Sequence, residues 1–208
     1  LSETQTTIAY IDGFNLYHGL KQRFGHRYLW LDLVKIVRRL RPADDVRTVR
    51  YFTAMVRDNA PAEARQSNYL RALKAHNGDA IDIVVGRYQS KQRTCRTCGA
   101  SWTQYEEKET DVNIAVSLVA DSASWLSDLA LIISADSDLC PAIRTSRQVS
   151  PTRGMIAAFP PKRSSFEIKT LIPGAFPIGP DKLRNSLLPD IVNDPTTGEA
   201  YKRPGKWR

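Results

Sequence analysis

Two short apolar runs, each ending in a turn that carries aspartate, constrain this chain more than any other feature. The first, Ile8-Ala9-Tyr10-Ile11, gives way to Asp12-Gly13-Phe14-Asn15. The second, Leu129-Ala130-Leu131-Ile132-Ile133, gives way to Ser134-Ala135-Asp136-Ser137-Asp138. Runs of this length bounded by Gly, Asn, Ser and Asp read as buried strands. In an open parallel sheet, ligands bind just beyond the carboxyl ends of the strands. Asp12, Asp136 and Asp138, together with Asp111 further along the chain, are the candidate site. Carboxylates gathered in one place repel each other unless a cation joins them, and hard cations such as Mg²⁺ take oxygen ligands. The pattern points to metal-dependent phosphate chemistry.

The chain between these positions alternates helix and strand. Asn15 to Phe24 reads as a helix, and so does Leu31 to Leu40, where Leu33, Ile36, Val37 and Leu40 fall at helical spacing before Arg41-Pro42. Val46 to Val56 reads as a strand, Pro61 to Asn77 as a helix closed by Gly78, and Ala80 to Val85 as a third strand. After Leu129 to Ile133, Pro141 opens a helix and Met155 to Phe159 forms a further strand. This order predicts an α/β three-layer sandwich with a mostly parallel sheet. Residues 160–208 carry repeated prolines and basic residues, ending in Lys202-Arg203-Pro204-Gly205-Lys206-Trp207-Arg208. They read as a Pro-rich basic extension, loop or tail apart from a short helix around Asp181 to Leu187. Such a tail either stays solvated or grips RNA by charge and stacking.

Asp111 opens the helical segment Asp111 to Ala120. At 100° per residue Thr110, Asn113, Ser117 and Asp121 form one polar stripe, and Asp111 falls off it, between Ala115 and Leu118. A carboxylate facing a core needs a partner or a metal, whereas one at a helix start serves as a cap. Spacing leaves both readings open.

With 208 residues the chain is long enough for one α/β domain with appendages. It carries 30 Lys+Arg against 22 Asp+Glu, a net charge of +8, which favours a polyanionic partner. No apolar run is long enough for a transmembrane helix, and Leu1-Ser2-Glu3-Thr4-Gln5 lacks the basic-then-apolar pattern of a signal peptide. Three cysteines, an odd count, fit a reducing compartment better than a disulfide framework. A cytoplasmic location is expected.

Three segments together carry a family resemblance: Ile8 to Tyr17, Glu107 to Ala115 and Leu131 to Leu139. In their order and separation they resemble the NYN domain, a branch of the PIN-like nucleases, over roughly residues 7–160. The resemblance implies a Rossmann-like or flavodoxin-like sandwich and a Mg²⁺- or Mn²⁺-dependent ribonuclease. Its acidic site would fall on Asp12, Asp111, Asp136 and Asp138, with Asn15 and Ser134 as polar helpers. Residues 1–160 are then the nuclease unit and 161–208 the extension. Asp12, Asp136 and Asp138 are the expected metal ligands, with Asp111 completing the water shell or orienting the nucleophile. Asn15 is a substrate or metal-water contact, an N-cap for the first helix, or both. Lys108 is a phosphate or Asp111 partner, or a solvated lysine.

Arg87 to Gln104 reads as a hairpin insertion. Cys95-x-x-Cys98-Gly99 within it resembles one knuckle of a zinc ribbon, and a structural zinc takes four ligands. Zinc completed by a histidine or by a second chain in a homodimer is one reading, a reduced dithiol the other. Lys91, Arg93 and Arg96 with Tyr88 and Trp102 make a basic, aromatic patch suited to single-stranded RNA. A non-catalytic RNA-binding module would share that patch but would not need four acids. A 5′ nuclease acting on DNA would share the acids. A haloacid dehalogenase-type phosphatase wants a second acid two residues after the first, where this chain has Phe14.

Overall fold

The computed structural model describes residues 4–57 and 59–208, and for residues 104–107 the backbone only. Leu1-Ser2-Glu3, read above for a targeting pattern, lie outside the described residues. β1 (Thr6–Asp12) runs into α1 (Gly13–Phe24) and α2 (Leu33–Leu40), then β2 (Asp45–Ala54), α3 (Ala60–Asn77) and β3 (Ile81–Thr94). β4 (Ser101–Lys108) turns back along β3 and leads into α4 (Thr110–Ala123). β5 (Leu129–Ile133), α5 (Cys140–Val149), β6 (Gly154–Phe159), α6 (Phe166–Leu171) and β7 (Phe176–Pro177) complete the main sheet.

Among the described residues that sheet has seven strands in the order β4-β3-β2-β1-β5-β6-β7. All neighbours pair in parallel except β4, which is antiparallel to β3. The chain winds outward from β1 to β3, then crosses to the other side of β1 to lay down β5. The order reverses between β1 and β5, and at such a point the loops beyond the two strands diverge and leave a crevice.

Side chains alternate across β1 and β5 as the strand period requires. Ala9, Ile11, Leu131 and Ile133 pack with α1, α2 and α3, whereas Ile8, Tyr10, Ala130 and Ile132 pack with α4, α5 and α6. This is the three-layer α/β sandwich expected from the sequence.

Three local expectations change. The third strand does not stop at Val85 but continues through the hairpin, so the arm is the edge of the main sheet. The polar residues after Gly86 lack a burial pattern, and it is pairing with β4, from Arg87↔Lys108 to Thr94↔Ser101, that keeps them extended. Second, residues 160–208 hold the short helix expected near Asp181, but the rest is not a loop or tail. They form α6, β7, α7 (Pro180–Arg184) and the hairpin β8 (Ile191–Asn193) with β9 (Ala200–Lys202), and they bury Ile178, Leu183, Leu188 and Val192 in the core beneath α1–α3. Trp207 is only 7% exposed and packs on Trp30 and Tyr69, with centroids 6.3 and 5.8 Å away, so it is not a free stacking residue of a tail. Third, α4 is turned from the orientation that its polar stripe indicates. Thr110, Ile114, Leu118, Asp121 and Ser122 face inward, while Val112 and Val116 are each 61% exposed. The surface beneath α4 presents Tyr10 and Arg50, which bind Asp121 and draw the polar side of the helix in.

No helix of the described residues is long and apolar enough to cross a membrane.

Candidate metal centre

β1 ends on Asp12, whose side chain lies on the α4 side of the sheet because it continues the Ile8, Tyr10 parity. Asp12 is 3% exposed and caps α1, accepting from the Asn15 backbone N–H at 2.9 Å. Gly13 lets the helix begin this close to β2, since a Cβ there would lie 2.6 Å from the Phe52 carbonyl oxygen. From the next strand, the Ser134 hydroxyl donates to the other Asp12 oxygen at 2.8 Å and accepts the Asp136 N–H at 3.0 Å. Asn15 Oδ1 accepts the Ala135 N–H at 3.1 Å, tying the β5 turn to α1. Asp12 rather than Asn15 is therefore the N-cap. Ser134, fully buried and bonded on both sides, holds Asp12 rather than facing solvent.

Asp111 sits in the first turn of α4 and is exposed, so of the two readings its spacing left open the core-facing one does not hold. The residue that begins the helix is Glu109, in the left-handed region at φ 81° and paired with Arg87. Asp12, Asp111 and Asp136 each offer a carboxylate oxygen, and the three atoms lie within 4.8 Å of one another. Asp138 is not in this group. It is exposed, and its N–H donates to Asp136 Oδ1 at 3.0 Å, so it steadies the turn.

The acids line a cavity of about 280 Å³ together with Phe14, Asn15, His18 and Arg163. Arg163 follows Lys162, a non-glycine residue at φ 60°, in the turn after β6. Its Nε is buried and finds no hydrogen-bond acceptor among the described residues. A buried, unsatisfied guanidinium nitrogen is costly. Sequence reading missed Arg163 and His18 as members of this site. Both had a signal: Arg163 follows a strand at its carboxyl end, and His18 lies one helical turn after Phe14 and Asn15.

Burial raises the Asp12 pKa, the N–H of Asn15 and the Ser134 hydroxyl oppose the rise, and the Asp136 charge adds to it. The His18 imidazole is held below its usual range by partial burial and by Arg163 and Lys21. A carboxyl with a raised folded pKa contributes stability below its unfolded value, near 4, and loses it as pH rises through the folded value. In EDTA, the melting temperature of the wild type is therefore expected to fall relative to Asp12→Asn as pH rises from 4 towards 7. Parallel melting curves would show that Asp12 ionises without strain.

Lys91, Arg93, Arg96, Trp102 and Lys108 do not line the cavity. Lys91 and Arg93 share one face of the hairpin with Trp102, which lies opposite Arg93 and is 50% exposed, while Arg96 is in the tip and Lys108 at the base. Cys95 and Cys98 close the tip, with the N–H groups of Cys98 and Thr97 aimed at the Cys95 sulfur, which lower its pKa to about 7. Gly99, at φ 71°, completes the turn. No third metal ligand joins the two cysteines among the described residues.

Residues 6–168 match the NYN domain family model. The chain belongs to the NYN domain family. NYN domains are PIN-like nuclease domains, so the acidic crevice lies on a nuclease-family fold. This NYN chain is 30% identical over 188 residues to 6-hydroxy-3-succinoylpyridine 3-monooxygenase HspA of Pseudomonas putida, a match covering 73% of the chain and 59% of that protein's length. It also superimposes on a solved protein of unknown function from Vibrio parahaemolyticus with a TM-score of 0.61 and 15% identity, over 90% of this chain and 99% of the other, a likeness of fold.

Proposed function

We propose that the chain is a divalent-metal-dependent ribonuclease that hydrolyses phosphodiester bonds in single-stranded RNA. The observation that carries the reading is the meeting of Asp12, Asp111 and Asp136 at the switch point of an NYN fold. Three carboxylate oxygens make a hard donor set that fits Mg²⁺ or Mn²⁺, with Asp138 steadying Asp136 from outside. Such an ion, when bound, lowers the pKa of a bound water and neutralises charge on phosphoryl oxygens.

The chain's own groups do the rest. Ser134 and the Asn15 N–H fix the orientation of Asp12 before substrate arrives. Arg163, which lines the same cavity as the acids, takes a non-bridging phosphate oxygen. His18 is neutral near pH 7 and hydrogen-bonds to the sugar-phosphate backbone at the cavity wall. Labelled RNA and DNA of one sequence, incubated with Mg²⁺ or Mn²⁺, test the reading. RNA is expected to be cut and EDTA to stop it. RNA left intact with either metal would refute the assignment, and DNA cut as fast as RNA would move it to a general phosphodiesterase.

The hairpin guides the strand. Lys91, Arg93 and Trp102 on one face, with Arg96 at the tip, lead along β4 to Asp111 at the start of α4. Neutralising Lys91, Arg93 and Arg96 to alanine is expected to raise KM more than it lowers kcat, since phosphate contacts hold ground state and transition state alike. It should also flatten the salt dependence of RNA binding by about 2 log units per log unit of salt, ~0.7 per contact. Unchanged affinity across a salt series would place the strand elsewhere. A zinc ion at Cys95 and Cys98 would draw further ligands from a second copy of the chain, as in a homodimer.

A second reading follows from the Pseudomonas relative, whose name is that of a monooxygenase of a hydroxypyridine. It is favoured by an aromatic-walled cavity beside the acids, and consumption of 6-hydroxy-3-succinoylpyridine by the purified protein supplied with O₂ and a reduced nicotinamide or flavin as the two-electron donor tests it.

A further inference from the structure

Next to the acidic cavity lies a larger one, of about 360 Å³, between α1, α3 and the C-terminal segment. The two share Phe14 and His18 among their lining residues, so they are immediate neighbours. Their chemistry is opposite. The larger cavity is walled by Tyr17, Tyr51, Tyr69 and Trp207, and Lys21, Arg65 and Lys206 are among its lining residues. Among the described residues that line it, none is acidic.

The cavity is also preformed. Gln66 receives the Val56 N–H at 2.7 Å and donates to the Ala54 carbonyl at 2.9 Å, which fixes the loop between β2 and α3 that forms one wall. Tyr69 donates to the Leu31 carbonyl at 2.7 Å, and Trp207 packs against its ring. Trp207 and Lys206 reach the wall only because the C-terminal residues fold back over α3.

Aromatic walls suit a flat ring, and cations with no lining acid suit an anion attached to it. The volume lies at the lower end of the ~300–1,000 Å³ of small-ligand sites, which fits one nucleoside and not a duplex. We propose that this cavity receives the base and ribose of the nucleotide next to the scissile phosphate, with the neighbouring phosphate held by Lys21, Arg65 and Lys206. The assignment rests on the ribonuclease reading and deepens it. The base must leave its stack to enter, so the substrate is unpaired at that position, and the fit of the base makes cleavage depend on sequence there.

Binding measured without metal tests this apart from catalysis. The wild-type protein in EDTA is titrated with each of the four nucleoside 5′-monophosphates and with ribose 5-phosphate. At least one nucleotide is expected to bind about tenfold or more tighter than ribose 5-phosphate, the margin that base stacking supplies. Ala62→Trp, which fills the cavity from α3, should remove that preference while leaving the melting temperature in place. If that variant does not fold, the pair Arg65→Gln and Lys206→Gln should weaken nucleotide binding several-fold, by roughly the factor that two lost charge contacts imply. Equal binding of nucleotides and ribose 5-phosphate, or wild-type nucleotide affinity in a folded Ala62→Trp or in the Gln pair, overturns the cavity assignment. Sequencing the ends of fragments cut from random RNA separates the two layers. Metal-dependent cuts with no base preference keep the ribonuclease and sink the cavity. Nucleotide binding lost in Ala62→Trp, with no RNA cleaved by the wild type, keeps the cavity and sinks the ribonuclease.

Discussion

Asp12→Asn is expected to lower metal-dependent RNA cleavage by roughly a hundredfold or more, the scale of removing one preorganised charge from a phosphoryl-transfer site. Asp12 is the buried member of the triad and has no freedom to be replaced by a neighbour, because its two oxygens are fixed by Asn15 and Ser134. Asn keeps the cap, since its amide oxygen still accepts the Asn15 N–H, and Ser134 can turn its hydroxyl to accept from the amide. The fold should therefore survive, and circular dichroism should be unchanged. Asp111→Asn and Asp136→Asn should also fall steeply, whereas Asp138→Asn should stay within about threefold, ~0.7 kcal/mol on the barrier. Single-turnover cleavage of a labelled RNA at saturating enzyme checks all four. An Asp138→Asn loss as large as that of Asp12→Asn would mean that the ion sits nearer the β5 turn than the triad places it.

The second large effect is on stability. Asp121→Ala is expected to cost about 2–4 kcal/mol, because it leaves the buried Tyr10 hydroxyl without its acceptor and takes from the partly buried Arg50 the nearer of its two carboxylates, Asp82 remaining at 3.7 Å. Asp121 is 4% exposed. It receives the Tyr10 hydroxyl at 2.7 Å and Arg50 Nη2 at 2.9 Å. Tyr10 in turn accepts from Arg153 Nη2 at 3.1 Å, and Arg153 also donates to the hydroxyls of Ser122 and Ser127, each at 2.7 Å. Burial, first of all, pushes the Tyr10 pKa far up, so its hydroxyl stays protonated and remains a donor. The network pins α4 to β1, β2 and the turn before β6, and α4 carries Asp111. Urea unfolding gives the loss directly, and a change under about 1 kcal/mol would show that water replaces the carboxylate. A partly stable variant should lose metal affinity as well, since Asp111 would no longer be held in place.

How much of this was legible beforehand differs from residue to residue. Asp12 and Asp136 were readable because each follows an uninterrupted apolar run, and a strand buried on both faces must end where the sheet opens to solvent. Asp138, two residues on, looked equivalent, but the short helix at Ser137–Leu139 turns it outward and spends its N–H on Asp136. The orientation of α4 was not readable. Its apolar face pointed to a core, yet the surface it meets carries Tyr10 and Arg50, brought there by β1 and β2. The folding of the C-terminal residues was hidden for another reason. α7 matches the short helix expected around Asp181 to Leu187, but β8 and β9 are three residues long, too short for a periodic signal, and the prolines around them resemble linker composition.

Fold class, the acid-bearing strand ends and the cysteine turn are readable in the chain without its fold, because they depend on local periodicity and on single residues at fixed offsets. Only the folded arrangement settles that Asp111 rather than Asp138 joins Asp12 and Asp136, that Arg163 lines the same cavity, and that Trp207 walls the neighbouring one. Each of those facts joins residues from separate segments. Their meeting is fixed by which strands are neighbours in the sheet and by how the last segment folds back, neither of which any local pattern encodes.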